Sequence, residues 1–262
     1  MRTTYRYRNV KDYWNQRWDQ TPADKPMENL SVYPLYYSEL TVLNDKKGKI
    51  LEAGCGAGRL VRYYHDRGFD ITGFDYIPVA IQKLKAADCT LKVEIGDITQ
   101  LGYSDCSFKY VLSFGLYHNL ENDLQKAVDE TYRVLENSGK VCASFRADNL
   151  QTRISDLIEN KKRPEKNLDS ELHFHKLNLT KKEFVDLFEN SGFVVEKVFN
   201  VQNMPFLYKF NFFRAKNHKQ FNEFIARSEG YQLSLLGKFL QNILIAFLPS
   251  QFCNLYVLVA KK

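Results

Sequence analysis

Between Lys49 and Phe145 short apolar runs alternate with helical segments, and the first run ends in Gly54-Cys-Gly-Ala-Gly-Arg59. This rhythm constrains the fold more than any other feature of the 262-residue chain. Parallel strands need crossover connections, and a helix is the usual crossover, so alternation predicts a parallel sheet with helices on both faces. Lys49–Ala53, Asp70–Asp75, Leu91–Ile95, Tyr110–Phe114 and Lys140–Phe145 read as strands. The intervening helices run from the glycine turn to about Arg67, from Pro78 to Ala87 and from Asn122 to Leu135. Proline suits the first helical position because its missing N–H is not needed there. Asn137-Ser-Gly139 reads as a helix stop and turn. Residues 146–178 are polar and read as irregular, with the basic run Lys161-Lys-Arg-Pro164. Thr180-Lys-Lys-Glu183 is a capping box before a helix at Phe184–Asn190, which Gly192 ends. Val194–Val201 and Leu255–Ala260 read as the last strands. No ordinary crossover helix follows the first of these, so the final one is expected to pair antiparallel.

Ahead of this core, Asn9 is a plausible N-cap for a helix carrying Tyr13, Trp14 and Trp18. Pro22, Pro26 and Pro34 follow, then a helix through Tyr36–Asn44. The composition, 44% hydrophobic and 26% charged, excludes a disordered or low-complexity chain. Five cysteines (Cys55, Cys89, Cys106, Cys142, Cys253) stand singly. This excludes a disulfide framework and a zinc ribbon and predicts a reducing compartment. No apolar run follows the N-terminal residues and none is long enough to span a bilayer, so no signal peptide and a cytoplasmic location are expected. The net charge of +6 is local, because residues 1–199 hold 29 basic and 29 acidic residues while residues 200–262 hold 8 and 2. A basic, aromatic C-terminal block on a neutral body predicts one anionic contact surface, and no nucleic-acid partner is expected.

The glycine turn lies where a strand enters a helix, a place where backbone amides meet ligands. A dinucleotide fingerprint would put its third glycine where Arg59 stands, so the G-x-G-x-G spacing suits a nucleoside with an amino-acid tail better than a pyrophosphate. Here the chain resembles the class I S-adenosylmethionine-dependent methyltransferases over roughly residues 48–200 and the last strand. Glu52-Ala-Gly-Cys-Gly-Ala-Gly58 is similar to the family's first motif. Asp75, ending Ile71-Thr-Gly-Phe-Asp, falls at the ribose-binding acid, and Glu94-Ile-Gly-Asp97-Ile98 resembles the adenine motif. Phe108-Lys-Tyr-Val-Leu-Ser-Phe-Gly-Leu-Tyr-His-Asn-Leu matches the fourth strand and the turn facing the methyl group. Tyr132-Arg-Val-Leu-Glu-Asn-Ser-Gly-Lys-Val matches the helix, turn and strand after it. The resemblance implies a seven-stranded doubly wound sheet with the last strand antiparallel. It also implies S-adenosylmethionine as cofactor, with S-adenosylhomocysteine as product. The implied cofactor residues are Glu52, Gly54, Cys55, Gly56, Gly58, Asp75, Tyr76, Asp97, Ile98 and Ser113, with Tyr13 from the N-terminal helix.

His118 is the first candidate general base, since an imidazole titrates near operating pH. Tyr117 beside it is the second, and His173 and His175 follow. His173-Phe-His175 has no acidic or cysteine partner at metal-ligand spacing, so no metal is expected. The expected activity is methyl transfer to an oxygen or nitrogen of a small-molecule acceptor, including lipid- or glycan-linked ones. Two alternatives stand beside it: an NAD(P)-dependent oxidoreductase on a Rossmann sheet, and a non-catalytic module that binds the cofactor or its product. Residues 1–47 are expected to form an N-terminal helical cap, and 48–201 with 254–262 the cofactor-binding core. Residues 146–178 and 202–253 are expected to be insertions that roof the acceptor. In the second insertion, positions 236, 239, 240, 243, 244 and 247 form an apolar helical stripe. Lys209, Arg214, Lys216 and Lys219 alternate upstream with Phe210, Phe212, Phe213 and Phe221. Two readings of 206–248 follow: a substrate lid packed on the sheet, or a peripheral surface meeting a membrane or lipid-linked acceptor.

Overall fold

The computed structural model describes residues 1–7, 9–23, 29, 33–161, 171–220 and 229–262. The chain opens with β1 (Arg2–Arg6), α1 (Val10–Gln20) and α2 (Leu35–Val42). The alternating part then runs β2 (Ile50–Ala53), α3 (Arg59–His65), β3 (Ile71–Asp75), α4 (Pro78–Ala87), β4 (Lys92–Ile95) and β5 (Phe108–Ser113). It continues with α5 (Leu124–Val134), β6 (Leu135–Arg146) and α6 (Leu150–Lys161). The rest comprises β7 (His173–Asn178), α7 (Lys181–Glu189), β8 (Val194–Val201), α8 (Leu235–Phe247) and β9 (Leu255–Lys261).

Seven strands form one sheet in the order β4-β3-β2-β5-β6-β9-β8. The ladders from β4 to β6 are parallel, and β9 is antiparallel to both β6 and β8. The fold is therefore the expected α/β doubly wound sheet with one reversed strand. Side chains alternate across it with the two-residue strand period. Leu51, Ala53, Val111, Val141 and Leu258 join the core under α5 and α7, where Val128, Phe184 and Phe188 are packed. Ile50, Tyr110, Leu112, Cys142 and Val257 join the other core, with Leu60 and Tyr64 of α3 and Leu84 of α4. β9 is buried from Leu255 to Ala260 because neighbours flank it and both faces are covered, which explains its nearly unbroken apolar run.

Two sequence expectations need correction. Within 146–178 the described residues are not irregular, since they contain α6 and β7. β7 pairs antiparallel with β1 in a separate two-stranded sheet that the N-terminal helical cap did not include. Both strands are polar and short, so no apolar alternation marked them. Asn137-Ser-Gly139 also does not separate helix from strand. β6 begins directly after α5 at Leu135, and the positive φ of 67° at Ser138 is absorbed within the strand. Smaller elements agree closely. The Asn9 side chain accepts from the Lys11 amide, and the Thr180–Glu183 capping box is complete. Pro26, Phe221 and residues 162–164 of the basic run lie outside the described residues.

Candidate functional site

The parallel strands end on one edge, and the glycine turn sits there between β2 and α3. Gly56 has φ +52°, and a Cβ on it would stand 2.4 Å from Cζ2 of Trp18. Gly58 caps α3 with φ +73°, and a Cβ there would stand 2.3 Å from Cδ2 of Leu84 on α4. Only glycine fits both demands at these positions, conformation and close approach. Because Gly58 has no side chain, the orphan amides of α3 need another acceptor. Glu52, buried in β2, provides it by accepting from the Val61 amide at 2.8 Å. Burial pushes the Glu52 carboxyl up to about 8. Its visible role is to tie α3 to the sheet.

Asp75 closes β3 and is 7% exposed. Its Oδ2 accepts from the Gly56 amide at 2.8 Å and its Oδ1 from the Ile77 amide at 2.9 Å. Each carboxylate oxygen carries two lone pairs, so both retain capacity for a ligand hydroxyl. A glycine turn beside a buried carboxylate with spare acceptors has the residue chemistry that an adenosyl group needs. Burial pushes the Asp75 carboxyl up, against the two amides. Cys55 is buried between them and its thiol is pushed well up by burial, so it is a neutral filler.

The other expected cofactor residues divide. Tyr76 is 54% exposed, with the Lys11 ammonium 4.9 Å above its ring. Asp97 is exposed, and its Oδ1 accepts from the Thr99 amide and hydroxyl. Ile98 is buried in the same core cluster as Phe74 and Leu101. Ser113 is fully buried at the end of β5. Tyr13 lies half-buried on α1, its hydroxyl accepting from Arg17 at 2.9 Å and its ring under the Arg6 guanidinium at 4.2 Å. No α1 side chain is fully buried. Trp14 stacks on Trp18 at 5.2 Å, and Lys83 of α4 donates to the carbonyls of Trp18, Asp19 and Thr21. A cation at a helix C-terminus is electrostatically favourable, and it holds α1 across the glycine turn.

On the acceptor side Tyr117 corrects the sequence expectation. It is fully buried, its hydroxyl bonded to Thr131 at 2.7 Å and its ring against Phe188, so it belongs to the core. His118 differs. It is 9% exposed in the short turn Tyr117–Asn119, and its Nδ1 is buried with no hydrogen-bond partner. Burial, then Arg146, Lys176 and His175, hold its imidazole well below the usual histidine range. His175 occupies the bulge where the β1–β7 register shifts, with Thr4 Oγ1 at 3.5 Å. Burial, with Lys176, Arg6 and Arg146, holds it down to about 3. His173 sits opposite Arg6 at the end of that ladder. Lys176 is paired with Asp156 at 3.3 Å, and Asp156 also binds Arg2, while Arg146 forms no ion pair among the described residues. Arg146 and Lys176 stood outside the candidates drawn from the sequence. Arg146 had a readable signal, a cation closing an apolar strand at the ligand-binding edge of the sheet.

These depressed histidines fix a pH dependence. Both are neutral when folded and charge near 6.5 when unfolded, so the unfolded chain binds more protons below that pH. Stability is complete above about pH 6.5 and falls as pH drops toward 3. His175→Gln should lose less on acidification. Urea titrations between about pH 7 and 5 should show a wild-type loss greater by about 1–2 kcal/mol. Parallel losses in the two proteins would refute this origin.

Comparison with known proteins agrees with this geometry. The family model for a methyltransferase domain matches residues 51–143. A malonyl-[acyl-carrier protein] O-methyltransferase of Erwinia billingiae is 37% identical over 106 residues, 39% of this chain and 41% of that protein. A probable S-adenosylmethionine-dependent methyltransferase of Mycolicibacterium smegmatis is 27% identical over 153 residues, 58% of this chain and 54% of that one. The chain thus spans about half the length, or less, of these curated relatives. The crystal structure of a SAM-dependent methyltransferase from Methanosarcina mazei superposes with a TM-score of 0.56 at 15% identity, over 88% of this chain and 98% of that one. The reversed-strand sheet, the glycine turn with its buried acid and the match over residues 51–143 show a methyltransferase domain that resembles those of the class I S-adenosylmethionine-dependent methyltransferases, which use S-adenosylmethionine as cofactor.

Proposed function

We propose that this chain transfers a methyl group to an oxygen of a small acceptor that carries a carboxylate, and that the carboxylate oxygen itself is methylated. S-adenosylmethionine supplies a methyl group activated on a sulfonium. Gly54, Cys55, Gly56, Gly58, Asp75, Tyr76 and Asp97 line its place, with Tyr13 above. α6 and β7, with β1 paired on β7, and residues 202–220 with 229–253 form the roof that excludes water from the acceptor.

The observation that supports this reading is His118 in the turn after β5, within the electrostatic reach of His175, Arg146 and Lys176. A hydroxyl acceptor needs a base whose pKa lies near operating pH. Burial and the neighbouring cations hold both histidines far below that, so His118 is a poor proton acceptor. An ionised carboxylate needs no base. It needs positive charge and hydrogen-bond donors to fix it in line with the methyl group. Arg146 offers the charge, Lys176 adds to the field, and the unpartnered Nδ1 of His118 orients the anion in its N–H tautomer. The resemblance to malonyl-[acyl-carrier protein] O-methyltransferases supports a carboxyl acceptor, including one carried on a protein.

A screen with radiolabelled S-adenosylmethionine against carboxylic acids, malonyl thioesters, alcohols and amines tests this. Base-labile label in methyl esters is expected. Arg146→Ala should raise acceptor KM about ten- to a hundredfold, the scale of one lost charged hydrogen bond, and leave cofactor affinity unchanged. Label appearing only in alcohols or amines would overturn the carboxylate reading.

A further inference from the structure

The insertion between β8 and β9 builds a small core of its own. Leu207, Tyr208 and Leu233 are buried there, with Leu240 and Leu244 of α8 packed against them. The Ser234 hydroxyl caps α8 by accepting from Gly237, and the buried Gln241 accepts from the Leu207 amide at 3.1 Å. A Cβ on Gly237 would stand 2.5 Å from the Phe213 carbonyl. α8 is therefore firmly seated by one face.

Its other face is also apolar and is not covered. Leu235 is 86% exposed, Phe239 63% and Phe247 80%, and Leu236 and Ile243 lie between them on the same stripe. Phe212, 72% exposed, extends the apolar surface on the neighbouring turn. The expected stripe thus splits, with positions 240 and 244 turned inward and 236, 239, 243 and 247 turned outward. A contiguous group of large exposed apolar side chains marks an interaction surface.

Charge selects the partner. α8 contains Lys238 and no acidic residue, and Lys216 and Lys219 are exposed on the preceding segment. A second copy laid on this face would bring like charges together, whereas an anionic lipid surface attracts them. At 13 residues α8 is about 20 Å long, and no helix among the described residues is long and apolar enough to cross a membrane. We infer that the outer face of α8, with Phe212, Lys216, Lys219 and Lys238, docks in the plane of an anionic phospholipid bilayer. Phe239 and Phe247 enter the interface and the lysines meet headgroups. Arg214 is not part of this surface, since it donates to the Tyr208 carbonyl at 2.7 Å and covers its ring. This inference is independent of the acceptor's identity.

Co-sedimentation with phosphatidylcholine vesicles, with and without phosphatidylserine, tests it on the full chain. The wild type should pellet with the phosphatidylserine vesicles at low salt and be released at high salt. Lys216→Glu/Lys219→Glu/Lys238→Glu should weaken binding by at least about a hundredfold, from roughly fivefold for each of the three surface lysines lost. Phe239→Ser/Phe247→Ser should also abolish pelleting. Both variants change exposed side chains, so unchanged thermal melting and cofactor binding serve as the folding control. Wild type that stays in the supernatant, or that pellets equally with neutral vesicles, overturns the inference. So does a concentration-dependent dimer that Phe239→Ser/Phe247→Ser dissolves in the absence of vesicle binding.

Discussion

Alanine at position 75 should weaken S-adenosylhomocysteine binding by about 1–3 kcal/mol, roughly ten- to a hundredfold in Kd. The side chain is a buried charged acceptor at the end of β3, and replacing it removes every lone pair offered there. The loss does not stop at the ligand. The amides of Gly56 and Ile77, now satisfied at 2.8 and 2.9 Å, would both be left without an acceptor. Each orphaned buried amide costs about 1–3 kcal/mol, so the glycine turn itself should loosen. Asp75→Asn separates the two effects, because an amide keeps one oxygen for the backbone while losing the charge. Calorimetry should find weak binding in both variants and a melting temperature lowered chiefly in Asp75→Ala. Equal affinity in wild type and Asp75→Ala would show that the acid does not hold the ribose.

Glu52 should carry the larger stability effect, and in the opposite direction. Its folded-state carboxyl is raised to about 8 from an ordinary 4.5. The folded protein therefore keeps a proton that the unfolded chain gives up. The contribution to stability is complete below about pH 4.5 and is lost as pH rises through 8. Glu52→Gln retains a carbonyl oxygen for the Val61 amide and has nothing to ionise. It should be more stable than wild type by on the order of 2–4 kcal/mol near pH 8, and indistinguishable near pH 4. At about 2–4 °C per kcal/mol this is readily visible in melting curves. A gain of the same size at both pH values would place its origin in packing and not in the proton.

What the sequence determined was whatever depends on local pattern and order. The parallel sheet followed from strands alternating with helices, and the reversed β9 from the missing crossover before it. The glycine turn, Asp75 and the capping box at Thr180 were legible because each is a short-range backbone requirement: a positive φ, an acid one βα unit later, a hydroxyl three residues before a glutamate. Tertiary structure decided which side chains face which way. Tyr117 and His118 are adjacent in sequence, yet one is sealed against Thr131 and Phe188 while the other keeps an unpartnered nitrogen among distant cations. Tyr5 of β1 and its register partner Phe174 of β7 are 169 residues apart in sequence, and the polar residues of the two strands gave no periodic signal before they met. The same holds for His118, which looked like a base because an isolated imidazole titrates near neutrality. Only burial beside Arg146, Lys176 and His175 removes that basicity, and burial is a property of the folded chain.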